Sequence, residues 1–191
     1  MEEAQARAAI QDRDPEGLRA LVAAHGDRLL RSACLLCGDA TEAQDLVQET
    51  FLQALRSGDR FGGRSSVYTW LHGILLNLTR HYHRRRHRII YDDELARQEE
   101  QVPEAPPSSL DLAVSSQALQ TALRQLSEPH REVLVLRYFE NMKIHELAAH
   151  LDLSPGTVKS RLHYALAEMQ KILPAEMNLF GVAGTEKPEP V

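Results

Sequence analysis

Residues 143–169 read KIHELAAHLDLSPGTVKSRLHYALAEM, and their spacing decides the kind of fold to expect. Leu147, Ala148 and Leu151 give a short first helix an apolar face, with Ala148 small enough for a close helix approach. Asp152, Leu153 and Ser154 make the turn; Ser154 is the N-cap of a second helix and Pro155 its first residue. Val158, Leu162 and Leu166 then recur at i, i+4 and i+8, the buried stripe of that helix. Thr157, Lys159, Ser160, Arg161 and His163 are left to face outward. Two short helices joined this way form a helix-turn-helix, whose second helix enters the major groove of DNA by its N-terminal part. Lys159 and Arg161 are the candidates for base edges or phosphates, Thr157 and Ser160 for the DNA backbone. The bland alternative is a helical hairpin with a solvated polar face; the turn chemistry and Ala148 favour DNA.

Upstream of this motif, residues 110–126 and 129–139 repeat the helical pattern. Before them lies YDDELARQEEQVPEAPPSSLDLAVSS, residues 91–116, which is acidic, holds Pro103, Pro106 and Pro107, and has no period. It reads as a flexible acidic linker, a passive spacer or an acidic mimic that screens a basic surface. Earlier still, Asp14 and Pro15 start a strong helix that Gly38 stops. Thr41 and Gln44 form a capping-box pattern for the next, whose apolar positions Leu46, Val47, Phe51, Leu52 and Leu55 run to Ser57 and Gly58. A loop and a long helix, from about Ser66 to Ile89, follow. No strand pattern competes. The expectation is an all-α chain of two small helical domains, residues 1–90 and 117–175, joined by linker 91–116 and followed by a disordered tail, 176–191.

The long helix lies in the most basic part of the chain, RFGGRSSVYTWLHGILLNLTRHYHRRRHR, residues 60–88. From Arg56 to Ile90 eight arginines face one acid, Asp59, a formal +7, although the whole chain of 191 residues carries −5. Cations follow phosphates and rings stack on unpaired bases, so a cationic track beside aromatics suits single-stranded nucleic acid. Trp70 lies between Thr69 and Leu71 on an amphipathic helix, which favours core packing over stacking on a base.

Composition excludes several classes. At 43% hydrophobic and 26% charged residues, a packed core is expected. No apolar run is long enough for a membrane span, so no membrane insertion is expected. The start, MEEAQARAAIQDRD, lacks the regions of a signal peptide, which points to the cytoplasm. Cys34 and Cys37, at i and i+3 in LLRSACLLC, read as small core-facing residues, with a metal or redox role as the alternative. His83 and His87, at i and i+4, have metal-compatible spacing. Among so many arginines, phosphate contact is the better reading. No nucleophile elbow, phosphate loop, HExxH or acid pair supports an enzyme, and no cofactor or metal is expected.

Three segments in register resemble one family, the extracytoplasmic-function (ECF) sigma factors of bacterial RNA polymerase, group 4 of the sigma-70 family. EAQDLVQETFLQAL is similar to its core-polymerase-binding helix, FGGRSSVYTWLHGILLNLTRHYHRRR to its promoter-melting and −10-reading element, and residues 123–169 to its −35-reading domain. The resemblance covers roughly residues 17–173 and shows no further sigma domain. It implies that Asp45, Gln48, Glu49 and Phe51 dock on the clamp helices of a large polymerase subunit, with the flap as a second contact. A −10 DNA site is implied at Arg60, Gly62, Gly63, Arg64, Ser65, Ser66, Tyr68, Asn77, Arg80, Arg84 and Arg85. There the glycines let the backbone approach a flipped base. Ser154, Thr157, Lys159, Ser160, Arg161 and His163 are the implied −35 contacts. His72 and Gly73 depart from the family's larger or basic residues, which argues against a DNA contact at His72. The family's partners are core RNA polymerase, promoter DNA and an anti-sigma factor, often membrane-anchored. A regulator acting on duplex DNA alone would leave the melting segment and the residue 45–51 helix unexplained.

Overall fold

In the computed structural model, residues 3–12, 14–58, 61–63, 65–94 and 115–173 are described, and all their regular structure is helical. They fall into two compact units, the first within residues 1–111 and the second within 112–191.

The first unit is a four-helix cluster: α1 (Glu3–Gln11), α2 (Pro15–Cys37), α3 (Ala40–Arg56) and α4 (Val67–Glu94). The start of α2 is as expected: the Asp14 carboxylate accepts from the backbone N–H of Glu16 (3.2 Å) and Gly17 (2.9 Å), with Pro15 in the first turn. Its end is Gly38 in the left-handed region (φ 77°), whose N–H returns to the Cys34 carbonyl. The start of α3 departs from expectation. Asp39, not Thr41, is the N-cap, and its carboxylate accepts from Thr41 N at 2.9 Å and Glu42 N at 3.1 Å. A carboxylate two residues earlier is the stronger acceptor and carries a charge that suits the helix N-terminus. Buried faces of α2, α3 and α4 meet through Leu21, Leu29, Leu46, Phe51, Leu71 and Leu75. α4 continues to Glu94, past Ile89. The Ala-rich α1, which the sequence reading did not foresee, packs mainly on α2 through Ala6, Ala9 and Ile10.

The second unit contains α5 (Ser115–Gln125), α6 (Glu128–Leu134, continued by a π-helical turn over Val135–Phe139), α7 (Ile144–Leu151) and α8 (Pro155–Ile172). α8 is the hub against which α5, α6 and α7 pack. Arg131 is buried inside this unit and donates to the carbonyls of Leu123 (2.8 Å), Arg124 (3.2 Å) and Leu126 (3.0 Å), so one guanidinium closes the open end of α5. His130 Nδ1 and Glu168 Oε2, 2.8 Å apart, tie α6 to α8. The buried stripe of α8 is Val158, Leu162, Ala165 and Met169; Leu166, expected in it, is only half-buried. Continuing from Leu162 at i+3 and i+7 keeps the stripe on one side, whereas stepping by four at every turn rotates it away.

Candidate nucleic-acid interface

Three surfaces answer to the sequence expectations. The first is the outward face of α3. Asp45 and Gln48 are exposed, and Glu49 is half-buried and paired with Arg56 at 3.2 Å. Phe51 is a correction: it is only 6% exposed and belongs to the core, where it supports the face from beneath. Its neighbour Leu52 is 46% exposed and lies on the Asp45–Gln48 side. Adjacent residues on a helix differ by about 100°, so only one of this apolar pair can point inward. The outward face therefore combines carboxylate, amide and one large apolar side chain, the mixture expected of a protein-docking surface.

The second surface runs from the loop before α4 along that helix. Ser66 is the cap: its Oγ accepts from Thr69 N at 3.1 Å and shares a hydrogen bond with Thr69 Oγ1 at 2.9 Å. Gly62, Gly63, Ser65 and Ser66 are exposed, and Gly63 has φ 68°. Arg60 and Arg64 lie outside the described residues, as does the 95–114 part of the expected linker. Phe61 is 3% exposed and packs on Trp70, ring centroids 4.9 Å apart, so Trp70 is a half-buried part of the core, as its setting suggested.

Tyr68, expected to touch DNA, is also corrected. It is 7% exposed, with the Arg28 guanidinium carbon 3.9 Å from its ring centroid and the His25 ring at 5.7 Å. His72 is fully buried and shares a hydrogen bond with Ser32 Oγ at 2.7 Å, which removes it from the surface altogether.

Beyond the loop, Asn77, His81, Arg84, Arg85 and Arg88 are exposed, and spacings of four, seven, eight and eleven put them along one side of α4. His81 and Arg88 were missed in the sequence, although their spacing from Asn77 was readable. Arg80 is half-buried at the flank and is already engaged in an interaction. The opposite side is used internally. His83 Nε2 donates to the Leu36 carbonyl at 3.1 Å, and Arg86 donates to the Tyr82 hydroxyl at 2.8 Å. That hydrogen bond holds the Arg86 pKa above its ordinary value, while burial raises that of Tyr82. His83 thus serves the packing of α4 on α2, against the phosphate contact expected of it; the side chain of His87 is outside the described set.

Cys34 and Cys37 behave as core residues. Cys37 is buried and donates to the Asp39 carbonyl at 3.1 Å, and burial pushes its thiol up to about 12; the Cys34 thiol is raised too, first by burial. Among the described residues no group of three or more His, Cys, Asp or Glu could hold a metal ion. None of the helices formed by described residues is long and apolar enough to cross a membrane.

The third surface is the helix-turn-helix of α7 and α8. Asp152 turns the chain in the left-handed region (φ 55°), and Leu153 N donates back to the Ala148 carbonyl at 2.9 Å. Ser154 Oγ accepts from Thr157 N at 3.1 Å and meets Thr157 Oγ1 at 2.8 Å, and Ser160 Oγ donates to the Thr157 carbonyl at 3.0 Å. Lys159, Ser160 and His163 are exposed on one side of α8, and Tyr164, 61% exposed, extends it. Thr157 and Arg161 are half-buried. Tyr164 had no signal in the sequence beyond its position one residue after His163.

Known proteins arrange the same elements in the same order. Residues 21–89 match the Sigma-70 region 2 family and residues 116–169 the Sigma-70, region 4 family. The chain is 33% identical over 160 residues to the ECF RNA polymerase sigma factor SigL of Mycobacterium tuberculosis, covering 82% of this chain and 88% of that one. It is 34% identical over 153 residues to the RNA polymerase sigma-E factor of Streptomyces avermitilis, 77% and 79% being covered. Among solved structures it resembles the sigma factor RpoE of Bartonella quintana in complex with the anti-sigma factor NepR (TM-score 0.66, 28% identity, 81% of this chain and 94% of that one). It also resembles CnrH in complex with the cytosolic domain of CnrY (TM-score 0.64, 27% identity, 89% and 96%). Matches to both sigma regions, and a relative at this identity and coverage, establish the conclusion that the surfaces suggested: the chain belongs to the ECF RNA polymerase sigma factors, group 4 of the sigma-70 family, and is an alternative sigma factor that directs transcription from specific promoters.

Proposed function

We propose that the three surfaces divide the work of initiation. The Asp45, Gln48 and Leu52 face of α3 docks on the clamp helices of core RNA polymerase, with Glu49 beside it and Phe51 supporting it from the core. An exposed apolar side chain ringed by polar ones supplies the desolvated centre such a contact needs. The loop at Gly62, Gly63, Ser65 and Ser66 takes a flipped base of the non-template −10 strand, while Asn77, Arg84, Arg85 and Arg88 hold the adjoining phosphates. The N-terminal part of α8 enters the −35 major groove, with Arg161 towards base edges, Lys159 towards a phosphate, and Ser154, Thr157, Ser160 and His163 beside them. The second unit also meets the polymerase flap.

One observation carries this reading: Asn77, His81, Arg84, Arg85 and Arg88 are exposed along one side of α4, the helix that the glycine loop leads into, as the phosphates of a single strand require. Catalysis belongs to the polymerase, and the place of action is the cytoplasm, where polymerase and promoter are. An anti-sigma factor silences the protein by covering its docking faces. The partners named for the two structural relatives, one of them a cytosolic domain, support this and fit a membrane-anchored regulator. Run-off transcription from genomic DNA with purified core polymerase tests the proposal. Transcripts that depend on this protein support it, and their absence from every promoter would sink it.

A further inference from the structure

The family match begins at residue 21, yet α1 lies before it and is fitted to the −10 loop. Ile10 is 1% exposed, and its carbonyl oxygen stands where Gly58 has no side chain: a Cβ there would be 2.6 Å from that oxygen. One turn earlier, the exposed Arg7 reaches across the loop. Its guanidinium carbon is 5.9 Å from the Phe61 ring centroid, and a Cβ on Gly63 would stand 2.6 Å from its Nη1. Gly63 is favoured by its positive φ of 68°, and the Arg7 guanidinium lies against it. Phe61 in turn packs on Trp70 at the front of α4, so loop, long helix and Arg7 form one assembly. Apart from Glu3, Arg7 is the only charged residue of α1, so its place at the loop is not the by-product of a generally basic helix.

We propose that Arg7 is a further DNA contact of this sigma factor, holding a backbone phosphate of the single strand seated on the loop Phe61–Gly63. The inference rests on the reading of that loop as the −10 strand site. A guanidinium laid against exposed glycine backbone is suited to it: its planar fork binds phosphate oxygens in pairs, and the missing side chains let the strand come close. Arg7 lengthens the cationic side of α4 at its loop end, where Arg84, Arg85 and Arg88 do not reach.

The test uses the full chain reconstituted with core polymerase and a fluorescein-labelled single-stranded DNA of mixed sequence, titrated over a range of salt concentrations. Arg7→Gln should weaken binding several-fold at low salt and make the slope of log K against log salt shallower by about 0.7, the value for one phosphate contact to a single strand. Arg7→Lys should restore the slope. Thermal melting of each variant reports folding, and the glutamine removes the charge while keeping a polar side chain. If Arg7→Gln leaves slope and affinity unchanged while the Arg84→Ala/Arg85→Ala variant lowers both, Arg7 is only a brace and the proposal is overturned. If neither variant changes the slope, the strand-site reading fails and Arg7 falls with it.

Discussion

His72 Nε2 stands 2.7 Å from Ser32 Oγ, both residues closed to solvent, and this bond ties the middle of α4 to the middle of α2. It explains why an imidazole can occupy a fully buried place on the helix that carries the exposed arginines Arg84, Arg85 and Arg88. Ser32→Ala removes this hydrogen bond and should destabilise the first unit by about 1–3 kcal/mol, the usual cost of a broken buried hydrogen bond. Urea unfolding followed by circular dichroism measures it. An unchanged midpoint would mean that the bond contributes nothing net.

Cys37 gives a pH dependence with a definite sign. Burial raises its thiol from 9.0 to about 12 in the folded protein. Below pH 9 both folded and unfolded thiols keep their proton, so the contribution is fully present. As pH rises from 9 towards 12 the unfolded thiol ionises first, and stability is lost. Cys34 and Tyr82, also raised by burial, act in the same direction. Cys37→Ala should therefore show a shallower alkaline loss of stability than the native chain. The native thiol should also resist alkylation at pH 8 until the protein is unfolded. Rapid labelling of the folded protein would contradict the burial argument.

Phe51 and Leu52 are sequence neighbours with opposite surroundings, 6% and 46% exposed. Phe51→Ala should cost about 3–5 kcal/mol of stability, as aromatic-to-alanine changes in cores do. Leu52→Ala should leave the unfolding midpoint within about 0.5 kcal/mol and weaken core-polymerase binding by more than about 1 kcal/mol. Titration of fluorescent protein with core polymerase reads the second effect. Wild-type affinity for the Leu52 variant would move the docking face elsewhere.

Arg131 closes α5 through three carbonyls. Replacing it with alanine strips the buried bonds to Leu123 and Leu126 of their donor and should cost about 3 kcal/mol or more, concentrated in the second unit. Hydrogen exchange should then show α5 through α8 losing protection while α2 through α4 keep theirs. Uniform loss over both units would contradict their separate cores.

On α8, Lys159 is exposed and Arg161 half-buried. Lys159→Ala should weaken −35 binding with a smaller salt slope whatever the sequence, as a phosphate contact does. Arg161→Ala should cost about 1–3 kcal/mol at one base position if it reads a base edge. Competition binding with single-position variants of the −35 duplex separates the two.

Much of this was legible in the sequence because helix ends are written in local chemistry. Asp14 with Pro15, Gly38, and Ser154 with Pro155 each name a cap whose hydrogen bonds depend on neighbours a few residues away. The misreadings share one cause. Which of two adjacent apolar residues turns inward, Phe51 or Leu52, Ala165 or Leu166, depends on the partner helix rather than on spacing alone. Tyr68 is of the same kind, since its burial comes from Arg28 and His25 on α2, forty or more positions away. Helix α1 escaped notice because alanines bury little area and give a weak period; its role appears only where Ile10 and Arg7 meet the glycines of a distant loop.

The most direct test of the account is permanganate footprinting of a promoter mapped for this protein, with holoenzyme carrying either the native chain or Arg84→Ala/Arg85→Ala. Reactive, unpaired thymines are expected from the −10 element to the start site with the native chain, and a several-fold weaker signal with the variant while −35 protection persists. A fully duplex −10 region under a bound native protein would contradict it, and would leave a regulator that reads double-stranded DNA alone.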